Sequence, residues 1–160
     1  MRRTFCGIVI TAALACISHN VLAADSEPSN KSVSDDPDWK AGKAAIEAKS
    51  WKSAVDSFNK AASKFKDSAD VYNYLGYSYR QSGDLDSALK NYKIALQIEP
   101  AHKGAHEYMG EAYLMKHDLP DAQKHLQELE RICSKSCDEY KDLAQAIEDF
   151  KAKKPIASKW

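Results

Sequence analysis

The 160-residue sequence has no excess of charge of either sign, with 23 basic residues set against 23 acidic ones. That balance, and the lack of any basic stripe with interleaved aromatic platforms, argues against nucleic acid as a partner. The Lys-rich end from Lys151 to Lys159 reads as a solvated terminus, not a phosphate-binding arm. Long hydrophobic runs are missing too. The apolar stretch from Ile8 to Ile17 is too short for a comfortable membrane span, and no later stretch is apolar for long enough. Catalytic signatures are also missing: there is no Gly-rich phosphate loop, no strand-turn-helix nucleophile elbow and no His-Glu-x-x-His helix. An enzyme, a cofactor, a resident metal and a small-molecule substrate are therefore not expected. His102 and His106 are four apart, as metal ligands can be, but no third ligand is evident, and packing is the expected role of His106.

Cysteine is scarce, at four residues, and two of these fall in what reads as an export signal. Arg2 and Arg3 precede the apolar run, and Val21-Leu22-Ala23 precedes Ala24 in the manner of a cleavage site. Residues 1–23 are thus expected to be a signal peptide cut after Ala23, and the mature protein to be exported and periplasmic. Two other routes stay open. Arg2-Arg3-Thr4-Phe5 loosely resembles a twin-arginine signal, and Leu14-Ala15-Cys16 a lipoprotein site that would leave the protein lipid-anchored at Cys16. Residues 24–36, rich in Ser, Asp and Pro, read as a flexible leader.

What the sequence does have is a period. Gly42, Gly76 and Gly110 are evenly spaced, and Ala54, Ala88 and Ala122 repeat the step; Phe58, Tyr92 and Leu126 keep the same phase, as do Ala61, Ala95 and Leu129. A self-similar step of about 34 residues means a helical solenoid. Within each copy two amphipathic segments flank a turn, clearest at Ser82-Gly83-Asp84 between helices expected over 69–82 and 85–98. Gly76 and Ala88 are expected where the two helices cross, with Leu75, Tyr79, Leu85, Tyr92 and Ala95 around them. One such hairpin cannot bury its apolar face alone. A closing helix is expected over 137–152, with Tyr140, Leu143, Ile147 and Phe150 on one stripe and acids in its first turn.

The middle copy reads Tyr72, Leu75, Gly76, Tyr79, Ala88, Tyr92, Ala95 and Pro100, and with it the chain resembles the tetratricopeptide-repeat family. The resemblance implies an all-α, right-handed solenoid over 37–153. It consists of three helix hairpins, about 35–68, 69–102 and 103–136, with the capping helix behind them and a flexible tail at 154–160. The first copy departs from the pattern, with Asp38, Ala41 and Ala45 at consensus positions. The third has His106, Met109, Gly110 and Tyr113 but lacks the second Ala and the Pro. Irregular end units are normal for a solenoid.

In that family the first helix of each hairpin lines a concave groove through its fifth, ninth and twelfth positions. Here these are Trp39, Lys43 and Ile46; Asn73, Tyr77 and Arg80; Glu107, Glu111 and Leu114, with Tyr74 and Tyr108 bordering them. The spacing i, i+4, i+7 alone places each trio on one helical stripe. Aromatic rings with a few charges suit peptide recognition. Lys43 and Arg80 lie toward the first repeats and Glu107 and Glu111 in the third, which predicts a ligand acidic at one end and basic at the other. Tyr77 and Arg80 are expected to serve binding more than stability. The carboxylate clamp of chaperone-binding relatives needs Lys and Asn where this chain has Trp39, Lys43, Tyr74, Gly104 and Tyr108, so a chaperone tail is not the expected ligand.

Once the signal is removed only Cys133 and Cys137 remain, at the junction of the third hairpin and the closing helix. In an exported chain such a pair most simply forms a disulfide. The arrangement resembles exported bacterial tetratricopeptide proteins, in which a closing helix follows a Cys-x-x-x-Cys pair. The resulting expectation is a non-enzymatic adaptor or scaffold that holds a peptide or protein of the cell envelope. The alternative is a redox or metal-handling factor that uses Cys133 and Cys137.

Overall fold

The structure, a computed structural model, describes residues 32–153. The signal peptide, most of the leader and the tail expected from the sequence lie outside the described residues. Seven helices follow one another: α1 (Pro37–Glu47), α2 (Trp51–Lys64), α3 (Ala69–Gln81), α4 (Leu85–Ile98), α5 (Lys103–Met115), α6 (Leu119–Cys133) and α7 (Asp138–Lys151). Short 3-10 turns stand at Val33–Asp35 and Ser134–Ser136. Consecutive helices pair into the hairpins α1/α2, α3/α4 and α5/α6; α2 packs on α3, α4 on α5, and α7 on both α5 and α6. The described chain is an all-α solenoid of three hairpins closed by one helix.

Local chemistry starts these helices where they start. The buried Asp36 carboxylate accepts from the N–H groups of Asp38 and Trp39 at the front of α1, with Pro37 as its first residue. Asp84 caps α4 through the Ser87 N–H, and Asp118 caps α6 through the Asp121 N–H. Each cap satisfies a donor that the helix itself cannot. Lys64, in the last turn of α2, reaches back to Asp36 at 2.8 Å and ties the two ends of the first hairpin together. Burial works against the Asp36 charge, but Lys64 and the two backbone amides outweigh it and hold its pKa below the usual carboxylate range.

The hairpin turns share one backbone solution. Lys49, Gly83 and His117 all have positive φ, at 55°, 89° and 60°, and they stand at the same phase of the repeat. Only the middle turn has the residue that adopts this conformation without steric cost.

Where the helices cross, the repeat glycines meet rings. A Cβ built on Gly42 would lie 2.7 Å from the Phe58 ring, and one on Gly76 would lie 2.7 Å from Tyr92. The third hairpin differs from the sequence expectation. Gly110 is covered not by the in-phase Leu126 but by Leu143 of α7, whose Cδ2 would stand 2.5 Å from an added Cβ. No fourth repeat follows, so the closing helix supplies the side chain that a ring supplies earlier. Ala88 is buried with Tyr92, Met109 and Ala112, and Tyr79 of α3 packs against the same cluster, which links the second hairpin to the third.

Leu143, Ala146 and Ile147 of α7 complete a core with Leu114, Ala122 and Leu129, while Tyr140 and Phe150 pack at its edge. The Cys133 and Cys137 sulfurs lie 2.11 Å apart, with Cα atoms at 5.9 Å, across the turn between α6 and α7. No described helix is long and apolar enough to cross a membrane.

Candidate functional site

The first helices of the hairpins converge on one cleft. Lys43, Ile46 and Glu47 come from α1, Tyr74 and Tyr77 from α3 and Tyr108 from α5, around a volume of about 180 Å³. Of the eleven stripe residues expected from the sequence, Lys43, Ile46, Tyr74, Tyr77 and Tyr108 stand together here. The Lys43 ammonium lies 3.9 Å from the centroid of the Tyr74 ring, where the ring quadrupole attracts it. Tyr77 and Tyr108 rings meet at 5.3 Å between centroids. Burial raises the pKa of both phenols, with Glu111 adding to the effect at Tyr77 and Glu107 at Tyr108. Both hydroxyls therefore stay protonated at neutral pH, and that of Tyr77 is buried with no hydrogen-bond partner among the described residues.

Arg80 and Glu111 do not face a ligand as a pair of opposite poles. They bond each other at 2.7 Å, with side chains 4% and 9% exposed. The Arg80 guanidinium carbon stands 5.4 Å from the centroids of both Tyr77 and Tyr108. This makes the pair a buried strut between α3 and α5 that holds two cleft tyrosines. The expected charge gradient is correspondingly weaker, because two of its four charges cancel. Tyr77, 2% exposed, is both wall and core, so the expectation that Tyr77 and Arg80 contribute little to stability does not suit their burial.

The remaining stripe residues sit elsewhere. Trp39 packs edge-on against Phe58 and Tyr74, with centroids at 5.6 and 5.2 Å, behind the cleft and not along it. Leu114 is fully buried beneath α7, because the closing helix covers the last hairpin where a groove would otherwise continue. Asn73 is buried beside Gly104, and its Oδ1 has no hydrogen-bond partner among the described residues. Glu107 is buried on α5. Two residues were not anticipated. Glu47 closes the rim one turn after Lys43, and Trp51 at the start of α2 meets the Tyr77 ring edge-on at 6.2 Å. The signal for Glu47 was its i+4 spacing from Lys43; Trp51 comes from a second helix, which a first-helix stripe does not search.

His102 and His106 turn to different partners. His102 Nδ1 accepts from the Ala105 N–H at 3.0 Å and its Nε2 meets Asp70 at 3.1 Å, whereas His106 pairs with His125 and the Pro100 carbonyl. Among the described residues no group of three or more His, Cys, Asp or Glu side chains is placed to hold a metal ion.

Residues 76–116, which run from α3 through α5, match a family model described as TPR repeat. That segment carries the tetratricopeptide-repeat pattern. Over 55 residues it is 36% identical to the tetratricopeptide repeat domain-containing protein PYG7, chloroplastic, of Arabidopsis thaliana, covering 34% of this chain and 18% of that protein. The chain thus matches less than a fifth of that relative's length. Among solved structures it is similar to the Arabidopsis OM64 TPR domain, with a TM-score of 0.63 and 16% identity over 69% of this chain and 90% of that one. The first TPR of Spaghetti (RPAP3), bound to the HSP90 peptide SRMEEVD, gives a TM-score of 0.63 and 14% identity over 71% and 89%. The Sgt2 TPR domain of Aspergillus fumigatus gives 0.61 and 19% over 76% and 84%. At these identities the tetratricopeptide-repeat likeness establishes the fold.

Proposed function

We propose that the protein is a non-enzymatic interaction module, an exported adaptor or scaffold that holds a peptide segment of a cell-envelope protein in the cleft between α1, α3 and α5. The observation that carries this reading is the cleft's composition. Three tyrosines and Ile46 offer apolar area, while Lys43 and Glu47 offer charges at the rim. Rigid rings give contact area at low entropic cost, and rim charges set orientation. The first TPR of Spaghetti (RPAP3), which shares this fold, was solved with a bound HSP90 peptide, so a chain of this fold can take one. Export to the periplasm rests on the sequence of residues 1–23, with lipid anchoring at Cys16 as the other outcome of the same segment.

Cys133 and Cys137 are assigned to a structural disulfide that fixes the start of α7 against the end of α6. Thiol titration of the native mature protein tests this against a redox role: an inert, fully oxidised pair is expected, and a readily reduced pair with a low thiol pKa would overturn the assignment.

The cleft is tested by Lys43→Glu, at a half-exposed position whose change spares the core. Affinity capture from the envelope with the wild type and with K43E should differ in what is retained, while the melting temperature falls by no more than a few degrees, because the lost contact with Tyr74 is worth about 0.5–1 kcal/mol. Equal capture by both would refute the cleft assignment.

A further inference from the structure

The third hairpin carries a buried imidazole pair that the cleft does not use. His106 on α5 and His125 on α6 face each other with Nδ1 atoms 3.0 Å apart, and His106 Nε2 lies 3.0 Å from the Pro100 carbonyl oxygen. These contacts fix the protons. A carbonyl only accepts, so His106 carries its hydrogen on Nε2 and leaves a lone pair on Nδ1. His125 must then carry its hydrogen on Nδ1 and donate it to His106. His106 is 6% exposed, and the His125 ring stacks on Tyr113 with centroids 5.6 Å apart and planes at 19°. The bond joins the two helices of the hairpin.

We propose that the His106–His125 pair is an acid-sensitive latch that opens the α5/α6 hairpin, and with it the α7 cover, ahead of the rest of the solenoid. One added proton leaves an N–H···N bond between the rings, but a second would set two N–H groups, and two positive charges, head to head across 3.0 Å. In the opened hairpin both rings meet water and each takes up its proton without that penalty, so acid favours opening.

The groups around the pair do not cancel this. Burial is the largest influence on His125, positive charge on a protonated His106 adds to it, and together they hold its pKa down at about 4; Lys124 works in the same direction. Asp121 and Glu128 on α6 work against it, and Asp121 is itself paired with Lys124 and feels Lys93 from α4. Tyr113 from α5 is a protonated phenol whose pKa burial has raised. A folded-state pKa below the ordinary 6.5 means that the open form binds more protons between those values. The latch is therefore fully effective above about pH 6.5 and weakens as pH falls toward 4. For one such histidine the opening equilibrium should rise roughly 20-fold between pH 7 and pH 5.

A solenoid permits this, because each hairpin contacts only its neighbours and an end unit can open alone. Tyr108 stands two residues beyond His106 on α5 and walls the cleft. If the cleft holds a peptide as proposed above, the same latch would release it in acid, a consequence that rests on that reading while the latch itself does not.

Hydrogen exchange on the full chain, without any ligand, tests the latch. After correction for intrinsic rates, amides of α5 and α6 should open roughly 20-fold more at pH 5 than at pH 7, and amides of α3 several-fold less than that. His125→Leu and His106→Tyr should each abolish most of the difference. Nitrogen chemical shifts of the wild type at pH 7 supply a second readout that needs no variant: His106 should be the Nε2–H tautomer and His125 the Nδ1–H tautomer. Equal acid response in α3 and α5, persistence of the response in both variants, or two Nε2–H tautomers would overturn the proposal. Loss of peptide binding in acid with unchanged exchange would count against the latch alone.

Discussion

Gly110 offers a substitution whose sign should reverse with its background. A Cβ at this position would stand 2.5 and 2.7 Å from the two terminal carbons of Leu143, which is completely buried. Gly110→Ala alone should gain about 1 kcal/mol of helix propensity but lose about 1–3 kcal/mol to overpacking, for a net loss of up to about 2 kcal/mol. Leu143→Ala alone should cost about 2–5 kcal/mol, as a fully buried leucine that leaves a cavity. In the Leu143→Ala background the clash is gone and the added methyl enters the vacated space. Gly110→Ala should there be stabilising by about 1 kcal/mol, from helix propensity and partial cavity filling. Urea denaturation of the four proteins, compared at constant m, gives the coupling directly. Additivity within about 0.5 kcal/mol would refute the reasoning, because it would mean that α7 does not cover Gly110 through Leu143.

Further outcomes follow from other contacts. Glu111→Ala should cost about 3–5 kcal/mol, since it strands the buried Arg80 charge, whereas joint replacement of Arg80 by Met and Glu111 by Leu should recover most of that; chemical denaturation reads both. Lys49→Gly and His117→Gly should each stabilise by about 0.5–1 kcal/mol, because both turns hold positive φ without a glycine, and a lower melting temperature in either would contradict that geometry. Reduction of the Cys133–Cys137 pair should raise exchange in α7 before it affects α1 or α2, and uniform loss of protection would show that the link does more than fix the closing helix.

The repeat was legible because small residues at helix crossings recur whatever the surface sequence does. Gly42 and Gly76 do sit under Phe58 and Tyr92, the residues in phase with them. Gly110 was not legible in this way, since its cover comes from outside the repeat and no phase relation links it to Leu143. The turns at Lys49 and His117 could have been read from their phase with Gly83, but residue type alone argues against positive φ at Lys or His. For the cleft, helical spacing placed Tyr77 and Arg80 on one stripe of α3, yet it could not say that Arg80 would be neutralised by Glu111 and buried. Spacing reports direction around a helix; burial depends on what the neighbouring helix brings. The same limit hid His125, which lies 19 positions from His106 and meets it only because α6 folds back along α5.

The central claim is that partners enter between the first helices. A photo-crosslinking residue at position 47, on the exposed rim of the cleft, tests it most directly when compared with one at position 90, on the exposed face of α4. In the native envelope, position 47 should yield a discrete adduct that Lys43→Glu removes, and position 90 should yield none. Adducts at position 90 with none at 47, or an adduct at 47 that Lys43→Glu leaves untouched, would contradict the account.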